Sequence, residues 1–390
     1  MNTDIKVCLL NDSFPPLIDG VSTTVFNYAS IIKSNFGDCA VATPAYPGTV
    51  DEYPFPVIRY PSIKTDKFAG YRTGLPVTPS VVRELKKHGS NILHSHCPFA
   101  SSLLARTLRP VLGAPIIFTY HTKFDIDIAN TFKSEVLQSA AIKAMMANIK
   151  PSDEVWVVSP GAGENLRALG YAGQFALMEN GVDFVRGRAD RADIDKIAAQ
   201  HGIKNSTPVF LFVGRMMWYK GIRTILDGLY AARARGTKFK MIFIGDGPDC
   251  GAIVETARLL GLSDVCAFTG IVSDRRLLRA YYSLADMFLF PSNFDTSGIV
   301  VREAAACGLA SVLLRGSSAA HGVTDGQNGV LIGDSAPELA DAVGHAARDR
   351  PRAHELGRRA MDELYLSWND SVSRAYRRYG EVLERYRSAK

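Results

Sequence analysis

Two carboxylates, Asp295 and Glu303, are separated by seven residues in a stretch that follows an apolar run at 285–290. The apolar run predicts a strand, and residues 298–300 open an amphipathic helix after a polar loop. Backbone N–H groups at such a helix start attract phosphate, so the stretch predicts a site for a polyhydroxylated, phosphate-bearing ligand. Taken alone, it is equally compatible with an ordinary strand-to-helix turn of an α/β domain.

Two cations in the same half of the chain, Arg215 and Lys220, flank another predicted strand-to-helix turn. Together with a helix N-terminus they would neutralise a diphosphate, although charged residues also begin many helices without such a role. The run 245–248, Gly-Asp-Gly-Pro, begins like a dinucleotide fingerprint, but Cys250 stands where the third glycine is required. We therefore do not expect a dehydrogenase.

In the first half of the chain, Gly20 and His121 lie in loops that follow predicted strands, and Gly20 allows close approach of the backbone to a ligand. No Ser-His-Asp or Cys-His order is evident, so we expect His121 to have a polar or orienting role. His94, His96 and Cys97 suggest a metal site, but no fourth ligand is nearby in the sequence. We expect no metal.

The elements that must position these residues alternate between short apolar runs and helical periodicity, which indicates the α/β class with doubly wound parallel sheets. We expect a first domain over residues 1–183, a linker over 184–206, a second domain over 207–370 and a final helix over 371–390. Strands are predicted at 5–10, 39–43, 57–60, 92–95, 116–120, 154–158 and 174–178, then at 207–213, 239–244, 265–269, 286–290 and 310–314. Helices are predicted at 19–33, 79–88, 99–112, 131–149, 161–169, 221–235, 252–260, 274–283, 299–307, 336–347 and 352–365.

The final helix carries an apolar face, because its large side chains recur at spacings of three and four residues. This pattern predicts that the helix packs back across the domain boundary. The residues of the face are Tyr376, Tyr379, Val382, Leu383 and Tyr386.

The composition is that of a globular protein, with 390 residues of which 47% are hydrophobic and 22% charged. This length exceeds one ordinary core, so two domains are the expectation. The six cysteines are irregularly spaced and include no CxxC pair, which indicates reduced thiols in a cytosolic protein. Neither a secretory leader nor a membrane-spanning segment is evident, so we expect a cytoplasmic protein that is neither secreted nor integral to a membrane.

The net charge of +6 is concentrated between Arg59 and Arg109, where nine Lys or Arg residues face only Asp66 and Glu84. Such a cluster would bind an anionic membrane surface peripherally, and a solvated helix face is the alternative. Nucleic acid is not expected, because aromatic residues are sparse there and no basic helix motif is present. No obligate protein partner is evident. The basic residues are Arg59, Lys64, Lys67, Arg72, Arg83, Lys86, Lys87, Arg106 and Arg109.

Taken together, the loop motifs resemble the large family of retaining, nucleotide-sugar-dependent glycosyltransferases known as family 4. That family includes sucrose synthase-like enzymes, mannosyltransferases and diacylglycerol glucosyltransferases. The resemblance implies the GT-B fold, in which two Rossmann-like domains face each other with the active site in the cleft. The matching segments are 15–21, 94–99, 119–122, 158–160, 180–183, 212–215, 220–221, 245–248, 268–270 and 295–308.

The resemblance also implies roles for individual residues in binding a nucleotide-sugar donor. Arg215 and Lys220 would hold the donor diphosphate without a metal, so no cofactor is expected, and Glu303 would hold the ribose. His121 would contact the donor sugar and stabilise the charge that develops at its anomeric carbon. The implied catalytic residues are His121, Arg215, Lys220 and Asp295. The implied donor-binding residues are Gly20, Gly214, Gly245, Ser297, Gly298, Ile299, Val300 and Glu303.

One position departs from the family pattern, because Asp295 stands where the first of two glutamates is usual. The carboxylate is kept one methylene shorter, which puts the identity of the donor sugar in doubt. On the acceptor side we place Asp19 and His96, and the order of motifs is most like enzymes that glycosylate membrane lipids such as diacylglycerol. A soluble or polysaccharide acceptor, a nucleotide-sugar 2-epimerase and a non-catalytic sugar-nucleotide sensor are the alternatives.

Overall fold

The computed structural model describes residues 5–64, 72–295 and 298–389. The chain divides into two compact units, one formed by residues 1–180 with 368–390 and the other by residues 181–367. Each unit contains a parallel sheet with helices in its connections, which confirms the predicted α/β class.

The first unit contains a seven-stranded sheet whose order is β3-β2-β1-β6-β7-β8-β9, with every pairing parallel. Most of its strand residues are buried, as expected for a parallel sheet covered on both faces. A separate antiparallel pair, β4 and β5, lies outside this sheet. The strands are β1 (Lys6–Leu10), β2 (Asp38–Pro44), β3 (Val57–Tyr60), β4 (Ser62–Lys64), β5 (Arg72–Gly74), β6 (Ile92–Ser95), β7 (Ile116–Tyr120), β8 (Glu154–Val157) and β9 (Phe175–Leu177).

Helices connect these strands, and their ends follow local signals. The Asp19 carboxylate caps α1, and α2 has proline at its first position and ends at Gly89 in the left-handed conformation. The predicted helix at 131–149 begins four residues later, at Glu135, because Phe132 leaves the helical conformation. A separate helix before it, in which Phe124 and Ile128 are buried, was not predicted. The helices are α1 (Gly20–Asn35), α2 (Pro79–His88), α3 (Ala100–Leu112), α4 (Phe124–Thr131), α5 (Glu135–Ile149) and α6 (Pro160–Ala168).

The second unit contains a six-stranded parallel sheet of order β12-β11-β10-β13-β14-β15. Its strands are β10 (Val209–Val213), β11 (Lys240–Ile244), β12 (Cys266–Phe268), β13 (Met287–Phe290), β14 (Ser311–Leu314) and β15 (Val330–Ile332). Its helices are α7 (Arg191–Gln200), α8 (Ile222–Ala234), α9 (Cys250–Leu259), α10 (Arg275–Leu284), α11 (Ile299–Ala306), α12 (Ala336–Arg348) and α13 (Arg350–Glu363), with short 3-10 helices at Trp218–Lys220 and Ser318–Ala320.

The segment 184–206, which the sequence suggests is a linker, lies within the second unit. It contains α7, whose Ile194 and Ile197 are buried, and Ile197 joins the core of the unit. The many charges of this segment conceal two apolar residues three positions apart, which is a short helical pattern.

The last helix, α14 (Trp368–Ser388), belongs to the first unit and confirms the predicted return of the C-terminal helix. Its apolar face packs into the core formed by β1, β2 and α1, with Trp368, Tyr376 and Tyr379 among the buried side chains. No helix among the described residues is long and apolar enough to span a bilayer.

Candidate functional site

The strand order reverses once in each sheet, and that reversal determines where a ligand can enter. In the second unit β10 continues to β11 and β12 on one side, whereas β13 pairs on its other side. In the first unit the same change of direction occurs between β1 and β6. Ligands of open parallel sheets bind beyond the carboxyl ends of the strands at such switch points.

Lys220 and Asp295 meet at the switch point of the second unit. Lys220 follows β10, Asp295 follows β13, and the Lys220 ammonium donates to Asp295 Oδ1 over 2.7 Å. The two side chains are 16% and 18% exposed, so the pair is largely shielded from water. Asp295 Oδ2 is buried and has no partner among the described residues, which leaves one carboxylate oxygen able to accept a ligand hydroxyl.

Arg215 lies in the same loop, immediately after Gly214. Its side chain is exposed and forms no hydrogen bond or ion pair with any residue that the structure describes. The loop therefore presents one cation held by a carboxylate and a second cation available to an anion.

Tight backbone contacts hold this loop in place. At Gly221, which has a φ of 75°, an added Cβ would lie 1.9 Å from the carbonyl oxygen of Pro291 at the end of β13. At Gly245, which follows β11, an added Cβ would lie 1.9 Å from the carbonyl oxygen of Gly214. Both positions require glycine, because the neighbouring atoms are backbone and cannot turn aside.

The N-terminus of α11 adds backbone donors to this region. Gly298 precedes the helix in the left-handed conformation with a φ of 55°, and Ile299 and Val300 are its first helical residues. The N–H groups of a first helical turn have no partner inside the helix, so they remain available to an anion. The predicted donor contact at Ser297 lies outside the described residues.

Glu303 lies on α11 and is buried, with both carboxylate oxygens already engaged. Arg275 Nη2 donates to Oε1 over 2.7 Å, and the Tyr282 hydroxyl donates to Oε2 over 3.1 Å. The Arg275 guanidinium also stacks on the Phe184 ring at 4.2 Å. Each carboxylate oxygen keeps a further lone pair, so Glu303 is a fixed acceptor that can still bind a hydroxyl. Arg275 and Tyr282 could not be predicted as partners of Glu303, because no local motif in the sequence links them to it.

The switch point of the first unit brings together the loops after β1 and β6. Asp12 Oδ1 accepts from the backbone N–H of Ser101 over 2.7 Å at the start of α3. Asp19 Oδ1 accepts from the N–H groups of Val21 and Ser22 over 2.8 and 2.7 Å at the start of α1. Asp19, predicted on the acceptor side, is therefore a helix cap as well.

Gly20 is the first residue of α1 and is exposed, with no atom within 4 Å of the position that a Cβ would occupy. Packing within the first unit therefore does not require glycine here. Close approach of a ligand to the backbone at Gly20 stays a prediction from the sequence.

His121 follows β7 and stacks on the buried His96. The Nδ1 atom of His96 lies 2.9 Å from the Nε2 atom of His121, and the two rings are 21° from parallel. Burial lowers the pKa of His121 from 6.5 to about 4, while the charge of Asp19 opposes this shift. Burial also lowers the pKa of His96, so both imidazoles are neutral near pH 7.

His94 belongs to the structural core of the first unit. Its Nδ1 atom lies 2.6 Å from the Tyr379 hydroxyl on α14, and its Nε2 atom lies 2.7 Å from the Thr119 hydroxyl on β7. Among the described residues, no group of three or more His, Cys, Asp or Glu side chains is arranged to hold a metal ion.

Several basic residues of the predicted cluster are buried or paired with acidic residues, so fewer of them are available to a membrane surface. Arg59 is largely buried and donates to both oxygens of Asp51, and Arg109 pairs with Asp153. Arg106 and Arg72 donate to Asn148 and Ser62, and Lys67 and Asp66 lie outside the described residues. Arg106 is exposed and its described bond is to the neutral Asn148 amide. Lys64, Arg83, Lys86 and Lys87 are exposed with neither an ion pair nor a side-chain hydrogen bond to any described residue.

Two family models match the chain in succession. Residues 18–186 match the model described as Glycosyltransferase Family 4, and residues 193–363 match Glycosyl transferases group 1. The chain is 22% identical over 391 residues to alpha-monoglucosyldiacylglycerol synthase of Acholeplasma laidlawii, an alignment that covers 94% of this chain and 98% of the relative. It is 24% identical over 336 residues to GDP-mannose-dependent alpha-mannosyltransferase of Corynebacterium glutamicum, covering 84% and 76%.

Solved structures share the fold across nearly the whole chain. Anabaena HepE in complex with UDP superposes with a TM-score of 0.76 at 16% identity, covering 97% of this chain and all of HepE. Sucrose-phosphate synthase from Thermosynechococcus elongatus superposes with a TM-score of 0.75 at 22% identity, covering 97% and 99%. These likenesses, the two parallel sheets and the successive family matches agree with the motifs of the sequence: the chain belongs to the family 4 glycosyltransferases of the GT-B fold.

Proposed function

We propose that this glycosyltransferase moves a hexose from a nucleoside diphosphate sugar to a hydroxyl of a membrane lipid such as diacylglycerol, with retention at the anomeric carbon and without a metal. The proposed donor rests mainly on the contact between Lys220 and Asp295. Arg215, in the same loop as Lys220, has no partner among the described residues. Two cations and a carboxylate in neighbouring loops would suit a sugar diphosphate, which supports the proposed donor.

The chemistry requires stabilisation of a leaving diphosphate and of positive charge at the anomeric carbon. Arg215, Lys220 and the N-terminal N–H groups of α11 would take up the negative charge of the diphosphate, which removes the need for a metal. Asp295 Oδ2 would accept from a hydroxyl of the donor sugar, and Glu303 would accept from the ribose. The presence of UDP in the HepE structure supports a nucleotide in this role.

A lipid acceptor is supported by the names of two relatives that synthesise monoglucosyldiacylglycerol. It is also supported by the surface of α2, where Arg83, Lys86 and Lys87 are exposed, and by Leu75 and Val77 in the segment before that helix. Basic residues beside exposed apolar side chains favour an anionic bilayer, each cation contributing about 1 kcal/mol. The protein would then attach peripherally to a membrane.

The decisive experiment is a screen of nucleotide-sugar donors against mixed lipid and soluble acceptors, with products identified by mass spectrometry. We expect a glycolipid with the anomeric configuration of the donor, formed equally well in the presence of EDTA. A product only on soluble sugars would overturn the lipid acceptor, and an isomerised donor without transfer would overturn the transferase proposal.

Membrane attachment is tested separately by flotation with anionic vesicles at low salt. The charge reversal Lys86→Glu with Lys87→Glu should reduce vesicle binding by about tenfold or more, because it changes the local charge by four. Its matched control is Lys196→Glu with Lys204→Glu, which reverses two exposed lysines of the second unit. Equal binding of both variants would exclude α2 as the membrane surface.

A further inference from the structure

The histidine pair of the first unit contains one buried polar atom without a partner. His96 is 1% exposed, and its Nε2 atom forms no hydrogen bond with any described residue. Its Nδ1 atom is engaged with His121 Nε2 at 2.9 Å. Around the His96 ring lie His94, at 4.0 Å between ring centroids, and the edge-on ring of Tyr28 at 5.7 Å.

The unpartnered atom distinguishes two ways of placing the protons. If His121 Nε2–H donated to His96 Nδ1, a neutral His96 would carry its own proton on Nε2, and that N–H would be buried without an acceptor. If His96 Nδ1–H donates instead, only a lone pair of Nε2 is left without a partner. Buried N–H groups without an acceptor are the rarer defect in folded proteins, so the second arrangement is favoured.

The second arrangement also determines the state of His121. Its Nε2 atom then accepts a hydrogen bond, so a neutral His121 carries its proton on Nδ1. That nitrogen has no partner among the described residues.

We propose that His96 is a positioning residue that fixes His121 as the Nδ1–H tautomer, so that His121 presents an N–H donor to an oxygen of the donor sugar. This inference rests on the proposed function for the identity of the ligand, but the tautomer itself does not depend on it. It also replaces the acceptor-side role that the sequence analysis gives His96, because a buried ring bonded to His121 has little surface left for an acceptor.

A neutral donor suits the chemistry better than a charged one. Positive charge develops at the anomeric carbon as the diphosphate leaves, and an imidazolium beside it would oppose that charge. Burial keeps His96 and His121 neutral, with Asp19 and His94 as the other titratable groups that act on the pair. The pair can therefore donate a hydrogen bond to the sugar without adding a charge.

Nitrogen-15 NMR of the histidine rings in the full-length protein tests the tautomer without any substrate. We expect the His121 signals to show a protonated Nδ1 and an unprotonated Nε2 at pH 7, and the opposite pattern would overturn the inference. In His96→Leu we expect His121 to lose this fixed tautomer and kcat to fall roughly 10-fold to 100-fold with little change in donor KM. In His96→Asn, whose amide can still donate, we expect most of kcat to return.

Tyr379→Phe is the matched control, because it removes a hydrogen bond to His94 and leaves the His96–His121 pair intact. It should lower stability without changing the His121 tautomer. Unchanged kcat and tautomer in His96→Leu would overturn the positioning role. A wild-type protein with no transferase activity would overturn the proposed function, while the NMR measurement would still decide between the two tautomers.

Discussion

Removal of the Asp295 carboxylate should affect stability and transfer by separable amounts. At 2.7 Å, the attraction between Lys220 and Asp295 is roughly 6 kcal/mol at an effective dielectric constant near 20. Desolvation of both groups offsets most of this attraction, and loss of one partner of a fully buried pair costs about 3–5 kcal/mol. The Lys220 and Asp295 side chains are 16% and 18% exposed, so this pair is not fully buried and its loss should cost less. We expect Asp295→Ala to lower the free energy of unfolding by about 2 kcal/mol.

A double-mutant cycle isolates this interaction. Asp295→Ala, Lys220→Ala and the double variant are unfolded in urea and followed by the fluorescence of Trp218, the one tryptophan in the second unit. We expect a coupling energy of about 1–2 kcal/mol. A coupling near zero would show that the ion pair does not stabilise the fold and would refute this stability argument.

Transfer activity tests the other half of the prediction. Asp295→Asn keeps the size of the side chain but loses its charge, and we expect at least a roughly 100-fold loss of kcat/KM, as for other groups that act on transition-state charge. Asp295→Glu keeps the charge and is the matched control, expected to retain most of the activity. Wild-type rates in Asp295→Asn would refute the assignment of Asp295 to the donor sugar.

Three further substitutions or conditions test separate parts of the structure. Gly20→Ala should leave the free energy of unfolding within about 1 kcal/mol of the wild-type value, because the added Cβ meets no atom. It should lower kcat/KM roughly tenfold or more if donor phosphates approach this backbone. An unchanged kcat/KM would exclude that approach. Tyr282→Phe removes the hydrogen bond to Glu303 Oε2 and should cost about 1 kcal/mol in urea unfolding, with a higher donor KM and a retained kcat. Since the folded-state pKa of His121 is lowered to about 4, its contribution to stability is complete above pH 6.5 and is lost towards pH 4, by about 3 kcal/mol. Urea unfolding at pH 7 and pH 5 should show about 2 kcal/mol of this decrease. His121→Asn should reduce the difference, whereas His345→Asn at an exposed position should not.

Most strands of both sheets were predictable, because a parallel strand that is buried on both faces is a continuous apolar run. The edge strand β15 (Val330–Ile332), which is only partly buried, was not predicted. Residues 57–60, 92–95 and 116–120 are strands with the predicted bounds. Helix α2 also has the predicted bounds, because proline begins it and a left-handed glycine ends it. Where apolar residues are few, as in α7, the helix was not recognised, since Ile194 and Ile197 are its buried residues and only Ile197 joins the core.

The site was predictable only as far as loop position and family resemblance extend. Lys220 and Asp295 follow strands that are neighbours across the switch point, so their proximity follows from the strand order. The pairing of Arg275 with Glu303 depends instead on where α10 lies against α11, which no local pattern encodes. The engagement of His96 with His121 likewise depends on the register of β6 and β7.

The ion pair with Lys220 explains how an aspartate at position 295 can replace the longer glutamate. An ammonium group has three donor hydrogens, so Lys220 can keep its bond to Asp295 Oδ1 and still donate to a donor phosphate. Lys220 would then fix the direction of the Asp295 carboxylate while Oδ2 remains for a sugar hydroxyl. A carboxylate held in this way needs less reach than a free one, because its position is set by the lysine rather than by its own rotamers. The departure from glutamate is therefore compatible with transfer, and a comparison of donor preference between the wild type and Asp295→Glu would measure how far the shorter side chain selects the sugar.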